Sequence, residues 1–197
     1  MEYRQLGKSD LSVSTIGYGA WGIGGKPFWS TEGEENSIRS IEKSIDLGIN
    51  FYDTAPVYGF GYSEELLGRA LQSKRKDVII ATKCGLVWKK EDLKAIRKRA
   101  TRESILEEID LSLKRLRTDY IDLYQVHWPD ESTPIEETMN TLLQIQKEGK
   151  IRYIGVSNYS VDQMKESLNY GQIISLQPMY SMLERDIEKE SLPFCAE

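Results

Sequence analysis

Residues 120–157 read YIDLYQVHWPDESTPIEETMNTLLQIQKEGKIRYIGVS, a stretch in which one amphipathic helix separates two strand-like segments. The segments Tyr120–Val126 and Tyr153–Val156 are rich in the β-branched and aromatic residues that favour strands. A strand, a helix and a second strand in this order predict two parallel strands that are joined by a right-handed crossover.

The same alternation runs along most of the chain. Six segments have a strand-like apolar pattern: Ser14–Gly17, Ile49–Tyr52, Val78–Thr82, Tyr120–Val126, Tyr153–Val156 and Ile173–Leu176. Capping-box pairs predict the starts of three helices, and a glycine follows each predicted end. The pairs are Thr31 with Glu34, Thr133 with Glu136 (with Pro134 at the first helical position) and Ser160 with Gln163, and the glycines are Gly48, Gly149 and Gly171. A further helix is expected from about Thr101 to Arg117.

The composition is that of an ordinary globular domain. The chain has 197 residues, with 26 Lys or Arg against 31 Asp or Glu and a formal net charge of −5. No linker divides it, so we expect a single domain over residues 1–197. The absence of a basic stripe argues against a nucleic-acid or membrane partner. Without a signal sequence or an apolar run of about 20 residues, the protein is expected to be cytoplasmic.

Cysteine and histidine are scarce in this sequence. Cys84 and Cys195 are too few for a disulfide framework. His127 is the sole histidine, so a His-rich metal site is not expected.

Two α/β architectures fit this order of elements: an open doubly wound sheet and a closed (β/α)₈ barrel. An antiparallel hairpin of Tyr3–Leu6 with Leu11–Val13 is predicted to precede the first helix. A (β/α)₈ barrel typically needs about 250 residues. The barrel interpretation therefore implies that this chain holds about six of eight strands, with a sixth helix beginning at Ile187–Glu197.

A glycine motif at Gly17–Gly22 imitates a dinucleotide-binding fingerprint. It matches G-x-G-x-x-G after a strand, but that fingerprint requires a helix to open at its third glycine. The following residues, Ile23–Pro27, cannot start a helix, and no acid closes a second strand about 20 residues further on. The motif is better interpreted as a loop whose backbone passes close to another group.

Ionisable residues interrupt three apolar strands at their carboxyl ends. Asp53, Lys83 and His127 hold these positions, and Tyr58 follows Asp53 by five residues. Parallel α/β folds build their active sites at this end of the sheet. Taken singly, Asp53 could be a helix cap, Lys83 or Tyr58 a solvated loop residue and His127 a structural histidine. Their joint placement favours a site.

The four residue types suit the reduction of a carbonyl group. Tyrosine holds its proton at neutral pH, and a nearby lysine cation lowers its pKa towards working pH. Asp53 would hold Lys83, and a neutral His127 could orient a carbonyl oxygen. The sequence offers neither a Ser-His-acid order nor zinc-ligand spacing, so hydrolysis is poorly supported.

The set Asp53, Tyr58, Lys83 and His127 resembles the catalytic tetrad of the aldo/keto reductases. The phrases Asp53-Thr54-Ala55 and Gly155-Val156-Ser157-Asn158 resemble signatures of that family. The resemblance extends from Tyr3 to Glu197 and is greatest to the bacterial general-stress branch, which lies near the potassium-channel β subunits. It implies a (β/α)₈ barrel closed at its bottom by the amino-terminal hairpin.

The resemblance also implies a cofactor, NADPH, bound across the barrel mouth, with NAD as the open alternative. Residues expected to contact it are Ala20, Trp21, Asp53, Ser157, Asn158 and Gln177. Three tryptophans are expected to wall the substrate pocket: Trp21, Trp88 and Trp128. Tyr58 would donate the proton, supported by Lys83 and Asp53, and His127 would orient the carbonyl group.

Similar proteins continue through strands seven and eight, which carry the residues that hold the adenosine 2′-phosphate. We therefore expect the part of the site that chooses NADP or NAD to lie beyond Glu197. The first functional hypothesis is an NADPH-dependent reductase of small aldehydes or ketones, monomeric or oligomeric in its full-length form. The alternatives are a nicotinamide-nucleotide sensor like the channel β subunits and an inactive barrel fragment.

Overall fold

A computed structural model of the chain describes residues 1–26, 29, 33–89 and 92–197. The strands are β1 (Tyr3–Gln5), β2 (Ser12–Ser14), β3 (Tyr18–Gly19), β4 (Phe51–Asp53), β5 (Ile79–Cys84), β6 (Leu86–Lys89), β7 (Asp92–Lys98), β8 (Ile121–Val126), β9 (Ile151–Ser157) and β10 (Leu176–Gln177). The α-helices are α1 (Glu34–Asp46), α2 (Tyr62–Leu71), α3 (Arg102–Leu116), α4 (Ile135–Lys147), α5 (Val161–Leu168) and α6 (Ser191–Ala196).

Six strands form a parallel sheet in the order β10-β9-β8-β5-β4-β3, which makes a partial barrel. The antiparallel hairpin of β1 and β2 lies apart from this sheet, as predicted. The predicted first strand, Ser14–Gly17, is misplaced, because the barrel strand is β3. Ser14 instead pairs with Tyr3 in the hairpin, so its backbone is not available to the parallel sheet.

The helix ends test the capping predictions. Ser160 and Gln163 form a reciprocal capping box at the start of α5, as predicted. The capping box of Thr133 and Glu136 is wrong: Pro134 holds the N-cap position of α4, and the Thr133 hydroxyl donates instead to Asp130 at 2.7 Å. Thr31 lies outside the described residues, and α1 begins after Gly33.

Two hydrophobic clusters lie on opposite faces of the sheet. The larger cluster joins helix residues such as Ile41, Leu66 and Ile105 to the strand residues Ile80 and Tyr124. The smaller cluster fills the inside of the partial barrel, and the hairpin contributes to it. Its buried members are Leu11, Val13, Ile79, Ala81, Leu123 and Ile174. Alternate residues of one strand therefore face the helices and the barrel interior.

The side chains that face the barrel interior change from apolar to polar towards the carboxyl ends of the strands. Ala81 pairs with Leu123 in the interior cluster, and two residues later Lys83 pairs with Gln125. Asp53, at the end of β4, pairs with Ala81. Because side chains two residues apart share a face, these polar groups project into the barrel at the carboxyl ends of the strands.

Two segments between the barrel elements are informative. Within the described residues, the third glycine of the motif opens a 3₁₀ turn, Gly22–Gly24, instead of the helix that the dinucleotide-binding fingerprint requires. The antiparallel pair of β6 and β7 follows β5 and was not predicted. None of the helices in the described ranges combines the length and the hydropathy of a membrane span.

Candidate active site at the carboxyl ends of the strands

Asp53 and Lys83 form a buried ion pair at the mouth of the partial barrel. The Lys83 Nζ lies 2.8 Å from both carboxylate oxygens of Asp53 and 2.9 Å from the carbonyl oxygen of Thr54. An ammonium group has three N–H donors, so these three acceptors satisfy all of them. Burial lowers the pKa of Lys83, while the Asp53 charge acts in the opposite direction.

Tyr58 lies over this ion pair. The Lys83 Nζ is 5.2 Å from the centre of the Tyr58 ring. Burial raises the pKa of Tyr58, and the Asp53 charge raises it further. This direction is opposite to the one expected from Lys83 alone, because burial disfavours the charged phenolate and the negative charge of Asp53 adds to that effect.

Two glycines fix the loop that carries Tyr58. A Cβ atom at Gly59 would lie 1.9 Å from the carbonyl oxygen of Gly24, and one at Gly24 would lie 2.9 Å from the carbonyl carbon of Tyr58. Gly59 also has a φ of 63°, which disfavours other residues. The two backbones can cross this closely only because neither position carries a side chain, and the crossing holds Tyr58 against the loop of Trp21.

His127 follows β8 and completes the group of four. Its ring meets the Tyr58 ring edge-on with 5.9 Å between centroids, and its backbone N–H donates to the Cys84 carbonyl at 2.9 Å. Burial, and then the Lys83 charge, lowers the pKa of His127 to about 3. The imidazole is therefore neutral at physiological pH, in keeping with the expectation from the sequence.

Three uncharged polar residues lie next to this group. The Ser157 hydroxyl donates to the Gln177 carbonyl at 2.7 Å, and the Asn158 amide nitrogen donates to the carbonyl of His127 at 2.9 Å. Asn158 has a φ of 60°, a conformation that most residues avoid. Among the described residues, neither Gln177 Nε2 nor Asn158 Oδ1 has a hydrogen-bond partner, so one donor and one acceptor remain available.

Aromatic side chains surround the mouth. Trp21 lies 6.2 Å from Tyr58 between ring centroids and is 49% exposed. Trp88, on β6, packs against Phe60 at 5.3 Å, and Trp128, 39% exposed, lies beneath the Lys98 ammonium. Of the three tryptophans predicted to wall a substrate pocket, Trp88 and Trp128 lie on segments that follow Lys83 and His127. Trp21 lies on the loop after β3, beside Tyr58.

Ala20, also expected to contact the cofactor, lies beneath the loop that carries Trp21. It is fully buried, its N–H donates to the Asp53 carbonyl at 2.8 Å, and its own carbonyl accepts from the Ser63 hydroxyl at 2.7 Å. Ala20 thus holds the loop to β4, and Trp21 is the member of the pair with an exposed side chain.

Gln125 was not identified from the sequence. It is 2% exposed and donates to Asp53 and Gln177, which joins the ionisable group to the neutral polar group. The sequence did contain a signal for Gln125. This polar residue interrupts an apolar strand two residues before His127, and residues two apart in a strand share a face. In the described part of the chain, no cluster of three or more His, Cys, Asp or Glu could hold a metal ion.

Comparison with known proteins gives a consistent result. The model described as "Aldo/keto reductase family" matches residues 15–197. The chain is 46% identical over 196 residues to aldo-keto reductase YhdN of Bacillus subtilis, covering 98% of this chain and 58% of that protein. It is 42% identical over 202 residues to a protein of Escherichia coli named NADH-specific methylglyoxal reductase, covering 96% and 62%.

A solved structure shows the same fold. The glycerol dehydrogenase of Gluconobacter oxydans superposes with a TM-score of 0.91 at 41% identity, covering 98% of this chain and 60% of that one. The barrel prediction is therefore confirmed, and the open doubly wound alternative is not supported. The chain spans about 60% of the length of the proteins that it matches.

Proposed function

This chain belongs to the aldo/keto reductase family, and we propose that it reduces an aldehyde or a ketone to an alcohol with a reduced nicotinamide dinucleotide. The observation that carries the proposal is the buried Lys83–Asp53 pair beneath Tyr58, with the neutral His127 edge-on to the same ring. Membership of the family indicates oxidoreductase chemistry, and this cluster supplies a proton donor where a carbonyl substrate could bind.

The neutral polar group suits a nicotinamide carboxamide. A carboxamide has one carbonyl acceptor and one amino donor. Gln177 Nε2 and Asn158 Oδ1, which are unbonded within the described ranges, offer the complementary donor and acceptor. The exposed ring of Trp21 gives an apolar surface beside Tyr58. When bound, a reduced nicotinamide supplies a hydride to the carbonyl carbon.

Tyr58 is the proton donor in this proposal. Its raised pKa keeps the phenol protonated at neutral pH, so it can donate a hydrogen bond to the carbonyl oxygen before reduction. As the phenol gives up its proton, the Lys83 ammonium 5.2 Å from the ring stabilises the phenolate. Asp53 holds that ammonium in place through two short hydrogen bonds.

His127 orients the substrate rather than exchanging a proton with it. With a pKa of about 3, its imidazole is uncharged and can donate one N–H to the carbonyl oxygen. Trp21, Trp88 and Trp128 would exclude water from the reacting group and favour substrates with an apolar body. The substrate is therefore proposed to be a small carbonyl compound that need not carry a charged group.

The choice of coenzyme is part of the proposal. The resemblance stated above implies NADPH, whereas one relative is named as NADH-specific, so both coenzymes are tested. The cytoplasmic location, the single domain over residues 1–197 and the state of the full-length form, monomeric or oligomeric, remain predictions.

The test uses the protein as its gene encodes it. NADPH and NADH are titrated separately by nucleotide fluorescence, and the consumption of each is then followed with methylglyoxal and with benzaldehyde. We expect saturable binding of at least one coenzyme and aldehyde-dependent consumption. Tight binding without turnover would favour a nucleotide sensor, and the absence of binding to both coenzymes would overturn the proposal.

A further inference from the structure

Gln125 occupies a central place in the mouth of the partial barrel. It lies on β8, in register with Lys83 on one neighbouring strand and with Gly155 on the other. Residues in register on parallel strands point to the same face. Its side chain therefore enters the barrel interior at the level of Lys83, and the residue is only 2% exposed.

The side-chain amide of Gln125 contacts both the Asp53–Lys83 pair and the neutral polar group that includes Gln177. Gln125 Nε2 donates to Asp53 Oδ1 at 3.4 Å and to Gln177 Oε1 at 3.3 Å. An amide NH₂ has two N–H donors, so each neighbour receives one. In the described ranges, no other side chain forms hydrogen bonds to the side chains of both Asp53 and Gln177.

Gly155 makes the space that this bridge requires. A Cβ atom at position 155 would lie 3.1 Å from Gln125 Cγ and 2.5 Å from Ser175 Oγ. Any larger residue would push the glutamine away from its partners. Gly155 on β9 therefore lacks a side chain at the position that is in register with the long side chain of Gln125 on β8.

The direction of the two hydrogen bonds has a consequence for each partner. Asp53 Oδ1 accepts from both Lys83 and Gln125, so the carboxylate is held from two sides. Gln177 uses its oxygen towards Gln125, which leaves its amino group for a ligand. A loss of the bridge would remove one of the donors that hold the Asp53 carboxylate and, at the same time, the donor that orients the Gln177 amide.

We propose that Gln125 is a positioning residue that couples the Asp53–Lys83 pair to the ligand-binding amide of Gln177. This inference rests on the proposed function, since it assigns Gln177 to the nicotinamide carboxamide. It predicts that one side chain, which touches neither substrate nor coenzyme, controls both the state of the tetrad and the affinity for the coenzyme.

Two substitutions test the coupling. Gln125→Met keeps the length of the side chain but removes both donors, and the loss of a hydrogen bond to the charged Asp53 carboxylate is expected to cost about tenfold in affinity or rate. Gln125→Glu introduces a carboxyl group that faces Asp53 and Lys83, with Tyr58 and His127 as the other titratable groups around the mouth. When protonated, this group can donate one hydrogen bond, and when ionised it repels the Asp53 carboxylate.

The measurements are coenzyme dissociation constants across pH and, without coenzyme, the NMR titration of His127. His127 is the only histidine in the sequence, so its ring signals need no further assignment. For Gln125→Glu we expect coenzyme affinity to fall as pH rises, where the parent and Gln125→Met change much less. We also expect the His127 ring signals of this variant to shift between about pH 4 and about pH 8, as the new carboxyl group near Lys83 ionises, whereas those of the parent stay nearly constant.

Gln146→Met is the matched control, because within the described ranges the Gln146 side chain donates only to the Arg152 carbonyl, at the other end of the barrel. Parent-like coenzyme affinity in Gln125→Met, or no added pH dependence in Gln125→Glu, would overturn the coupling. If the parent protein binds no coenzyme, the proposed function fails, and the His127 titration alone then decides the link of Gln125 to Lys83: an unmoved titration overturns that link too.

Discussion

The two ends of the parallel strands both carry buried charges, but they use them differently. At the amino-terminal end, Asp122 is held by Arg75 at 2.7 Å, by Arg152 at 2.9 Å and by the backbone N–H of Ile80 at 3.0 Å. At the carboxyl end, Lys83 and Asp53 satisfy each other beneath Tyr58, while neighbouring amide groups stay open.

This difference separates a structural cluster from a reactive one. Arg152 also bonds Asp10 in the turn of the hairpin, so the Asp122 cluster ties the barrel to its amino-terminal segment. The mouth instead combines half-buried rings, a strained Asn158 and unbonded polar atoms. Strand ends of the first kind stabilise a fold, and strand ends of the second kind bind and react.

The largest expected effect is at the mouth, where Tyr58→Phe should lower the rate of aldehyde reduction by about 10²–10⁴-fold. Stability should hardly change, because the Tyr58 hydroxyl makes no hydrogen bond with the described residues. The measurements are single-turnover rates and thermal melting, with Tyr62→Phe as the control for loss of a tyrosine hydroxyl. A variant that reduces aldehydes at the parent rate would remove Tyr58 from the mechanism.

The opposite pattern is expected at the other end of the strands. Asp122→Asn should lower the free energy of unfolding by about 3 kcal/mol, because it removes the buried carboxylate charge that the half-buried Arg75 and the exposed Arg152 face. The pH dependence of turnover should be unchanged in the fraction that stays folded. Urea unfolding measures the loss, and Asp110→Asn, in an exposed pair with Lys150, should cost less than about 0.5 kcal/mol. Equal losses in the two variants would contradict the comparison.

The sequence identified most of the residues at the barrel mouth, but it did not identify the residue that links them. Asp53, Lys83 and His127 were found because polar residues at the ends of apolar strands are unusual and parallel strands bring their ends together. Gln125 was missed because a polar residue within a strand can face the helices or the interior, and only the register decides which. Long-range pairing of this kind is not visible in local patterns.

Local competition explains two other differences. The β6–β7 hairpin lies in a segment dense in charged residues, whose pattern gives no clear strand alternation. The capping box at Thr133 failed because Asp130, three residues earlier, offers the hydroxyl a competing acceptor. Ser160 has no such rival in the described contacts and caps α5 as predicted.

A third prediction concerns Glu108, a buried acid without the cationic partners that Asp122 has. It accepts hydrogen bonds from the Gly85 N–H at 3.0 Å and the Ser104 hydroxyl at 2.9 Å, at the point where β5 leads into the β6–β7 hairpin. Burial raises the pKa of Glu108 to about 7, partly offset by those hydrogen bonds, with Glu64 raising it and Arg115 lowering it further.

The sign of the pH effect follows from this raised pKa. The folded protein binds the Glu108 proton more tightly than the unfolded chain, so the stabilisation is complete below pH 4.5 and is lost as pH rises through about 7. The loss amounts to about 3 kcal/mol. His127 contributes with the opposite sign in this window, because its lowered pKa keeps the folded imidazole neutral while the unfolded chain binds the proton near its ordinary pKa of about 6.5. Urea unfolding of the parent and of Glu108→Gln between about pH 5 and about pH 8 cancels this contribution, because both proteins carry His127. The stability of the parent relative to Glu108→Gln should fall by about 3 kcal/mol over this range. A difference in stability that does not change with pH would contradict the raised pKa of Glu108.

The smallest effect tests how much the helix starts at the mouth add to stability. The Ser160 hydroxyl accepts from the Gln163 backbone N–H at 3.2 Å, and the Gln163 side-chain oxygen accepts from the Ser160 backbone N–H at 2.9 Å. Thr101, at the start of α3, accepts from Ser104 at 3.4 Å and has no reciprocal partner. Ser160→Ala should therefore cost about 1 kcal/mol, and Thr101→Ala less.

Calorimetry can resolve this difference, because 1 kcal/mol shifts the melting temperature of a domain of this size by about 2–4 °C. Turnover should be unchanged in both variants, because in the described residues neither hydroxyl contacts Asp53, Tyr58, Lys83 or His127. A larger loss in Thr101→Ala than in Ser160→Ala would show that the reciprocal bond adds nothing here. A loss of turnover in Ser160→Ala would mean that this cap, three residues after Ser157, also holds the ligand-binding end of β9.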